Sequence, residues 1–385
     1  MNNFIFENQT KVYFGKGGVK EYLGCVLRHY GDTVMLAYGG GSIMRNGVYD
    51  EVMGILSAEG KTVVEFSGIM PNPTYAKVQE GAKLARENHV DLILAVGGGS
   101  VSDCCKIVSA QAKLREDIWE MEMTKHTYPN RFIPLGTIVT AFGTGSEMNA
   151  GAVITHEGKK IKAGIAGAQA DFAFLDPAYS MSVPFPQVIS GAFDTLSHAM
   201  ETYFGKPDEN NLSDDINEAV MRGVIRNIRV LLREPDSYEA RSELAWASAM
   251  AENGVLKIGK ITDFQCHQIE HQLGAYTDCN HGKGLAVIHP ALYRHICPYG
   301  AKRFARFAQR VWGIAPKNTD AETALAGVEA LAAFIEEIGL PTSLAELGIP
   351  GDTDLRAVAD SSNITAGCCK KLTHEEIYEI LLECR

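Results

Sequence analysis

Three separate segments in the second half of the chain carry residues with the chemistry of metal ligands. Asp194 and His198 are four residues apart, and His267 and His271 repeat that spacing further along. Residues four apart lie on the same face of a helix. His281 follows within a short Asn-His-Gly segment, at a position where a further helix could begin. The spacing therefore predicts one helix that presents a carboxylate and an imidazole on the same face, and another that presents two imidazoles on the same face.

One carboxylate with three imidazoles is a ligand set for a divalent transition ion. Imidazole suits zinc or iron, and the carboxylate favours Fe²⁺ or Zn²⁺ over copper. A single histidine on an amphipathic helix is ordinarily a hydrogen-bonded scaffold residue, but two pairs at helical spacing are harder to explain in that way. The predicted metal ligands are Asp194, His198, His267 and His281.

Other histidines and cysteines near these positions are interpreted as non-ligands. His289 and His295 fit the scaffold interpretation better. Cys266 precedes His267 by one residue, so on a helix it points about 100° away from it. Cys279 is also interpreted as a non-ligand.

The first part of the chain is rich in glycine, with 38 glycines in all and 23 of them within residues 1–180. Apolar runs at 34–38 and 92–96 each end in Gly-Gly-Gly-Ser, and a third segment, 140–147, is rich in glycine and threonine. Glycine lets backbone N–H groups approach a phosphate, and a following helix N-terminus adds a favourable dipole. A tight strand-to-helix turn without a ligand is the alternative, and neither triple-glycine loop fits G-x-G-x-x-G.

The apolar pattern predicts buried strands that alternate with helices up to about residue 180, as in a doubly wound parallel sheet. The predicted strands include 132–135 and 173–175, and the predicted helices include 75–88 and 101–112. Beyond that point we expect almost only helices, among them 187–204, a helix ended by Gly274, and 283–292. We therefore expect an α/β domain at 1–180 and an all-helical domain at 181–385.

Composition excludes several classes of protein. The net charge of −11 argues against nucleic acid as a partner, because phosphate binding needs a basic surface. No segment approaches the ~20 apolar residues of a membrane-spanning helix. The N-terminal segment lacks the pattern of a signal peptide, and the nine cysteines show no paired zinc-binding spacing. We expect a cytoplasmic protein with reduced thiols.

Taken together, these motifs resemble those of the iron-containing (group III) alcohol dehydrogenases. The resemblance rests on GGGSVSDCCK at 97–106, on TAFGTGSEMN at 140–149, and on the spacing of the acidic and histidine ligands. It covers essentially the whole chain and is strongest to the butanol dehydrogenase and aldehyde reductase members. It implies a Rossmann-like dinucleotide-binding α/β domain followed by an all-helical metal-binding domain, the dehydroquinate synthase-like architecture.

The resemblance also implies roles for individual residues. The four predicted ligands correspond to the family's metal ligands, His271 to a residue for proton transfer, and Asp103 to a cofactor contact with a catalytic role. The expected cofactor-binding residues are Gly39, Gly40, Gly41, Ser42, Gly97, Gly98, Gly99, Ser100, Asp103, Thr140, Thr144, Asn149 and Lys160.

One departure from the family pattern concerns the choice of cofactor. NAD-preferring members place an acidic residue after the strand that here ends at Tyr38, where it binds the ribose 2′-hydroxyl and repels a 2′-phosphate. This chain has Gly39-Gly40-Gly41-Ser42 instead. We therefore expect a preference for NADP(H), with NAD(H) as the alternative.

The implied activity is that of a metal-dependent alcohol dehydrogenase or aldehyde reductase. The expected substrate is a small primary alcohol or aldehyde such as butanol or butanal, the expected metal is Fe²⁺ with Zn²⁺ as the alternative, and the expected assembly is a homodimer. Three rival functions remain: a lyase resembling dehydroquinate synthase, a binding protein that kept the fold, and metal-dependent hydrolysis. The lyase would need a basic substrate site, and hydrolysis leaves the glycine loops unexplained.

Overall fold

Both faces of the central strands are buried, which explains their continuous apolar sequence. In a computed structural model, which describes residues 1–364 and 367–385, Met35 and Ala37 pack into one hydrophobic core. Val34 and Leu36 pack into another core. Because successive side chains of a strand point to opposite faces, a strand covered on both sides must be apolar throughout.

The described strands are, in chain order, β1 (Lys11–Phe14), β2 (Thr33–Tyr38), β3 (Thr62–Phe66), β4 (Leu92–Gly97), β5 (Leu135–Val139), β6 (Gly151–His156), β7 (Ile161–Ala166) and β8 (Phe172–Leu175). Six of them form a parallel sheet in the order β1-β8-β5-β4-β2-β3. Strands β6 and β7 form a separate antiparallel pair. The three strands that precede the glycine-rich segments, β2, β4 and β5, are therefore neighbours at the centre of the sheet.

The helices that accompany the sheet are α1 (Gly18–Leu27), α2 (Ser42–Arg45), α3 (Val48–Ala58), α4 (Tyr75–Glu87), α5 (Gly99–Gln111) and α6 (Ile118–Met123). Thr74 caps α4, and its hydroxyl accepts a hydrogen bond from the Lys77 backbone N–H, as expected of a threonine at this position. Helix α5 begins at Gly99, two residues earlier than predicted.

The strand predicted at 132–135 is wrong in position, because β5 runs from Leu135 to Val139. The sequence Gly136-Thr137 has the appearance of a loop, but a packing contact requires the glycine. A Cβ atom at Gly136 would lie 2.1 Å from the ring of Phe172, the residue paired with it on β8. The apparent loop glycine is thus the site where an aromatic ring of the neighbouring strand fits.

The remaining helices are α7 (Phe185–Tyr203), α8 (Leu212–Arg233), α9 (Tyr238–Glu252), α10 (Gln265–Thr277), α11 (His281–Ile296), α12 (Ala301–Arg310), α13 (Asp320–Glu337), α14 (Leu355–Ser361) and α15 (His374–Glu383). They surround a single hydrophobic core. The prediction that Gly274 ends its helix is wrong: α10 continues to Thr277, and Asp278 follows in the left-handed conformation, with φ 52°.

The described chain divides into two units, Glu7–Pro184 and Met1–Phe6 together with Phe185–Arg385. The first residues join the helical unit, where Asn2 N–H donates to the Gly259 carbonyl at 3.1 Å. The predicted fold class, an α/β unit followed by an all-helical unit, is confirmed. Among the described residues, no helix is both long and apolar enough to cross a membrane.

Candidate metal site and glycine loops

Helix α7 carries three ionisable side chains along one of its faces. Asp194, His198 and Glu201 stand at relative positions 0, 4 and 7, a spacing that aligns them on a helix. Every residue of α7 from Ile189 to Tyr203 is buried. These polar side chains therefore lie inside the helical unit, where an ionisable group needs a partner.

The start of α11 presses against α7 and so places His281 near Asp194. Asn280 caps α11 by accepting a hydrogen bond from the Lys283 N–H at 3.1 Å, and the same side chain accepts one from Ser190 Oγ at 2.6 Å. Gly282 allows this approach, since a Cβ there would lie 2.3 Å from the Ser190 carbonyl oxygen. The Asn280 cap and the close approach at Gly282 thus hold the intervening His281 near α7.

Three of the four predicted ligands form one group around Asp194. His267 Nε2 and His281 Nε2 each lie 3.5 Å from Asp194 Oδ1, and one donor atom from each of the three residues lies within 4.8 Å of the others. Ligands at about 2.1 Å from a tetrahedral ion are about 3.4 Å apart. These separations therefore match the space that a single ion needs.

The fourth predicted ligand, His198, stands beside this group. Its Nδ1 lies 3.7 Å from Asp194 Oδ1, and its ring stacks on that of His267 with centroids 4.5 Å apart. A single carboxylate oxygen thus faces a nitrogen from each of three histidines.

Three atoms of this cluster are buried and have no hydrogen-bond partner among the described residues: Asp194 Oδ1, His198 Nδ1 and His267 Nε2. An unsatisfied buried polar atom costs about 1–3 kcal/mol, and three in one place are unusual. A bound cation would satisfy all of them at once, so the residues present fit a divalent metal ion.

Two glutamates hydrogen-bond the ring nitrogens of His267 and His281 that face away from Asp194. His267 Nδ1 hydrogen-bonds Glu201, and His281 Nδ1 hydrogen-bonds Glu270. Glu201 also accepts the Cys266 backbone N–H at 2.7 Å. A carboxylate on the second ring nitrogen fixes the tautomer and orientation of a metal-binding imidazole. The sequence prediction missed both glutamates, although Glu201 has the helical spacing to Asp194 that could have revealed it.

The electrostatics of the cluster favour positive charge. Burial would raise the pKa of Asp194, but His198 and His281 hold it below its usual range. Burial would likewise lower the pKa of His267, yet Glu201 and Asp194 raise it to about 10. The carboxylates around His267 therefore favour a positive charge at this position.

His271 lies next to the cluster and outside the Asp194 group. Its ring centroid is 6.0 Å from that of His267 and 5.4 Å from that of His281. It forms a second group of potential ligands with Glu270 and His281. The structure thus places the predicted proton-transfer residue beside the predicted ligands.

The other histidines and cysteines singled out by the sequence have ordinary surroundings. His289 Nε2 lies 2.6 Å from Ser197 Oγ, and His295 Nε2 lies 3.1 Å from Glu376 Oε1, which confirms their interpretation as hydrogen-bonded scaffold. Cys279 donates to Glu270 at 3.7 Å, and Cys266 is buried.

In the α/β unit, the three glycine-rich segments follow adjacent parallel strands and therefore share one edge of the sheet. Gly39–Gly41 separates β2 from α2, Gly98 separates β4 from α5, and Thr140 follows β5 directly. Doubly wound sheets bind ligands at the carboxyl ends of their strands. The segments predicted to bind phosphate thus lie where this fold places such sites.

Two of these loops are in direct contact. Thr140 N–H donates to the Gly97 carbonyl at 2.9 Å. A Cβ at Gly99 would lie 2.3 Å from Thr144 Oγ1, whereas one at Gly98 would meet nothing closer than 3.4 Å. Gly99 is therefore required by the packing of the threonine-rich loop, apart from any ligand.

Asp103 and Asn149 lie in a hydrogen-bonded network that holds the third loop. Asp103 accepts from Ser146 Oγ and, at 2.8 Å, from the Val153 N–H. The buried Lys106 donates to Asn149 Oδ1 at 2.9 Å and to the Gly151 carbonyl at 2.7 Å. Burial raises the pKa of Asp103. The side chains predicted to contact cofactor therefore have a clear role in shaping the loop.

Residues 39–42, which follow β2, include no aspartate or glutamate. Gly41 has φ 89°, a left-handed conformation that caps α2. On the adjacent strand, Glu65 accepts hydrogen bonds from the hydroxyls of Tyr38 at 2.5 Å and Tyr49 at 2.9 Å.

Lys160, the last of the predicted cofactor-binding residues, lies at the turn between β6 and β7, with φ 52°.

Comparison with known proteins agrees with these features. Residues 9–177 match the family model described as iron-containing alcohol dehydrogenase, and residues 188–384 match that of its C-terminal region. The chain belongs to the iron-containing alcohol dehydrogenase family. The predicted enzyme class, an NAD(P)-dependent oxidoreductase of alcohols and aldehydes, is thereby confirmed.

Similar proteins extend over almost the whole chain. The NADH-dependent butanol dehydrogenase A of Clostridium acetobutylicum is 36% identical over 99% of both chains. The NADPH-dependent aldehyde reductase YqhD of Escherichia coli is 36% identical over 92% of this chain and 91% of its own. A crystal structure of NADH-dependent butanol dehydrogenase A from Thermotoga maritima has a TM-score of 0.94 at 35% identity, covering 100% of this chain and 99% of that chain.

Proposed function

We propose that this alcohol dehydrogenase reduces small aliphatic aldehydes to primary alcohols with NADPH, using one divalent metal ion, Fe²⁺ with Zn²⁺ as the alternative. The observation that carries the proposal is the cluster of buried, unpartnered atoms around Asp194 Oδ1. One carboxylate and three imidazoles suit either ion. When bound, the ion supplies a Lewis acid for the substrate oxygen and the dinucleotide supplies hydride.

In this proposal, the protein's own residues hold and orient the reacting groups. Asp194, His198, His267 and His281 are the ligands. Glu201 and Glu270 keep the Nδ1 atoms of His267 and His281 protonated, so that each Nε2 lone pair faces Asp194. His271, beside the ligands, carries the proton that the product alcohol requires.

The glycine-rich segments of the α/β unit bind the dinucleotide in this proposal. Backbone N–H groups at Gly97–Ser100 and the start of α5 offer donors to the pyrophosphate. Asp103 fixes the third loop through Ser146 and Val153, which keeps Thr140 and Thr144 in position for the nicotinamide and ribose.

The preference for NADPH rests on the segment that follows β2. Residues 39–42 carry no carboxylate, and the Glu65 carboxylate on the neighbouring strand is engaged by two tyrosine hydroxyls. In this proposal the backbone amides of residues 39–42 and the Ser42 hydroxyl face the 2′-phosphate. Steady-state kinetics with NADPH and NADH test this point, and a clear preference for NADH would overturn it.

The metal requirement is tested by pairing activity with metal content. Butanal is added to enzyme and NADPH, and cofactor consumption is followed by absorbance. His267→Ala is expected to abolish bound metal and activity together. His271→Ala is expected to retain the metal and to lower kcat, with a changed pH profile. Full activity of His267→Ala after treatment with a chelator would reject the proposal.

A further inference from the structure

Cys368 and Cys369 are adjacent residues whose sulfur atoms face each other. Their Sγ atoms lie 3.7 Å apart, and the Cys368 thiol donates to the Cys369 sulfur. Cys368 is 4% exposed, whereas Cys369 is partly open to solvent. A disulfide needs the sulfurs at about 2.0 Å, a movement of under about 2 Å from this arrangement. Because the Cα atoms of adjacent residues are about 3.8 Å apart, below the usual range of about 4.4–6.8 Å, closing the disulfide must also distort the backbone of this segment.

The hydrogen bond between the two thiols makes them chemically unequal. It lowers the pKa of Cys369, which receives the proton donation, and raises the pKa of Cys368, which provides it. Thiolates are the reactive form of cysteine, and reactivity also requires access. Cys369 is the more exposed residue of the pair. Its own thiol is placed to donate to the Ile296 carbonyl at 3.6 Å, and the Cys368 sulfur lies next to it.

A second adjacent pair in the same chain provides a contrast. Cys104 and Cys105 lie within helix α5, and both are fully buried. Burial raises the pKa of each, and consecutive residues of a helix point about 100° apart. The same dipeptide is therefore fully buried within α5 and partly exposed at 368–369.

The segment that carries Cys368 and Cys369 is hydrogen-bonded to Asp263, which precedes α10, and to Gln265, its first residue. Cys368 N–H donates to Asp263 Oδ2 at 2.8 Å. The Gln265 side chain donates to the Lys370 carbonyl at 2.8 Å and accepts from the Leu372 N–H at 2.9 Å. Helix α10 begins at Gln265, so hydrogen bonds connect the cysteine segment to the start of the helix that bears His267.

We propose that Cys368 and Cys369 form a modification site for hydroperoxides, at which hydrogen peroxide closes a vicinal disulfide and loosens the start of α10. The site is independent of the proposed metal and dinucleotide chemistry. It uses no residue of either site.

The reaction balances in two steps. The Cys369 thiolate attacks one oxygen of hydrogen peroxide, the O–O bond breaks, and the leaving hydroxide takes the Cys368 proton to form water. The Cys368 thiolate then attacks the Cys369 sulfenic acid, the S–O bond breaks, and the released hydroxide takes a proton from solvent. Two thiols are oxidised to one disulfide, and one peroxide is reduced to two waters.

The site is tested by graded oxidation of the full-length protein with hydrogen peroxide, followed by intact mass measurement and peptide mapping. The first product is expected to have lost two hydrogen atoms at Cys368–Cys369, and a reductant should restore it. The Cys104–Cys105 peptide should remain reduced. Earlier oxidation of any other cysteine, or direct formation of a sulfinic acid at Cys369, would overturn the proposal.

Cysteine variants distinguish a reagent bound by the Cys368–Cys369 pair from one bound by any exposed thiol. Phenylarsine oxide, which bridges two close thiols, should bind one equivalent to the native protein. Binding should be lost in Cys368→Ser and Cys369→Ser and retained in Cys25→Ser, which removes an exposed thiol in helix α1. Retained binding in both single variants of the pair would contradict the assignment.

The link to α10 has its own measurement. Hydrogen–deuterium exchange at the start of α10 should increase after oxidation of the native protein, return to its starting rate after reduction, and stay unchanged in Cys369→Ser treated alike. Exchange that is the same before and after disulfide formation would show that the site does not act on α10. This readout does not depend on the activity of the metal-loaded enzyme.

Discussion

The two ring nitrogens of His267 face different carboxylates: Nδ1 hydrogen-bonds Glu201, and Nε2 lies 3.5 Å from Asp194 Oδ1. Glu201 and Asp194 stand on the same helix, seven residues apart. A single helix face therefore supplies both a proposed ligand and the group that orients another ligand. This relationship makes Glu201 the side chain that tests how the orientation of His267 affects metal binding.

Glu201→Gln is expected to weaken metal binding by roughly 10- to 100-fold, because orienting carboxylates contribute that much to metal affinity. The amide keeps an acceptor for His267 Nδ1 but loses the charge. Glu201→Ala should weaken binding further. The measurement is titration of the metal-free protein in competition with a chelator.

A matched control for Glu201 is Glu122→Gln, which alters a buried carboxylate that accepts the Ala166 N–H at 2.7 Å in the α/β unit. It should leave metal affinity unchanged. Equal loss of affinity in the two variants would indicate general destabilisation and would refute the orienting role of Glu201.

Gly99→Ala is expected to destabilise the protein by about 1–3 kcal/mol, the usual cost of overpacking, because its Cβ would lie 2.3 Å from Thr144 Oγ1. Gly98→Ala should change stability by under about 1 kcal/mol, since its backbone is extended and suits alanine. Urea unfolding followed by circular dichroism compares the two. Equal stability of both variants would show that the close contact between residue 99 and Thr144 does not affect the free energy of unfolding.

Local spacing predicted the parts of this molecule that depend on one helix or one strand. Asp194 and His198 share a helix face, and the continuous apolar run of β2 follows from its burial on both sides. The geometry of these features is determined within a few residues, so the sequence displays it directly.

Features that depend on a distant partner were not predicted. Gly136 lies inside β5 because the Phe172 ring occupies the space of a side chain, and nothing near Gly136 in sequence shows this. Glu270 orients His281 only because α10 and the start of α11 meet. Acidic residues are common on helices, so their spacing alone could not distinguish this one.

His289 provides a prediction for the pH dependence of stability. Burial lowers its pKa to about 4, compared with about 6.5 for an unfolded histidine. Between these pH values the unfolded chain binds a proton that the folded chain does not. The stabilisation is therefore fully present above about pH 6.5 and is lost as the pH falls toward about 4.

For metal-free protein, His289 should account for a loss of about 2 kcal/mol in the free energy of unfolding between about pH 7.5 and about pH 5. His289→Gln should show a correspondingly smaller loss, whereas His374→Gln, at an exposed position, should behave like the native protein. Urea unfolding at the two pH values measures the difference. Identical pH dependence in native protein and His289→Gln would contradict the assignment.

Gly40→Asp tests the proposed cofactor preference at the position best able to accept a side chain. A Cβ at Gly40 meets nothing within 4 Å, whereas one at Gly39 would lie 3.1 Å from the Ile69 carbonyl oxygen. A carboxylate about 6 Å from a 2′-phosphate costs about 3 kcal/mol at an effective dielectric of about 20, or roughly 100-fold in affinity. The same carboxylate can accept a hydrogen bond from the 2′-hydroxyl of NADH.

Relative to the native enzyme, Gly40→Asp should therefore lower kcat/KM for NADPH by up to roughly 100-fold while kcat/KM for NADH is maintained or increased. Gly40→Asn, which has the same shape without the charge, should retain most of the preference for NADPH. If Gly40→Asn and Gly40→Asp change the ratio of kcat/KM for NADPH to kcat/KM for NADH equally, the effect is steric, and charge at this loop does not decide the cofactor. A ratio unchanged in both variants would place the 2′-phosphate away from residues 39–42.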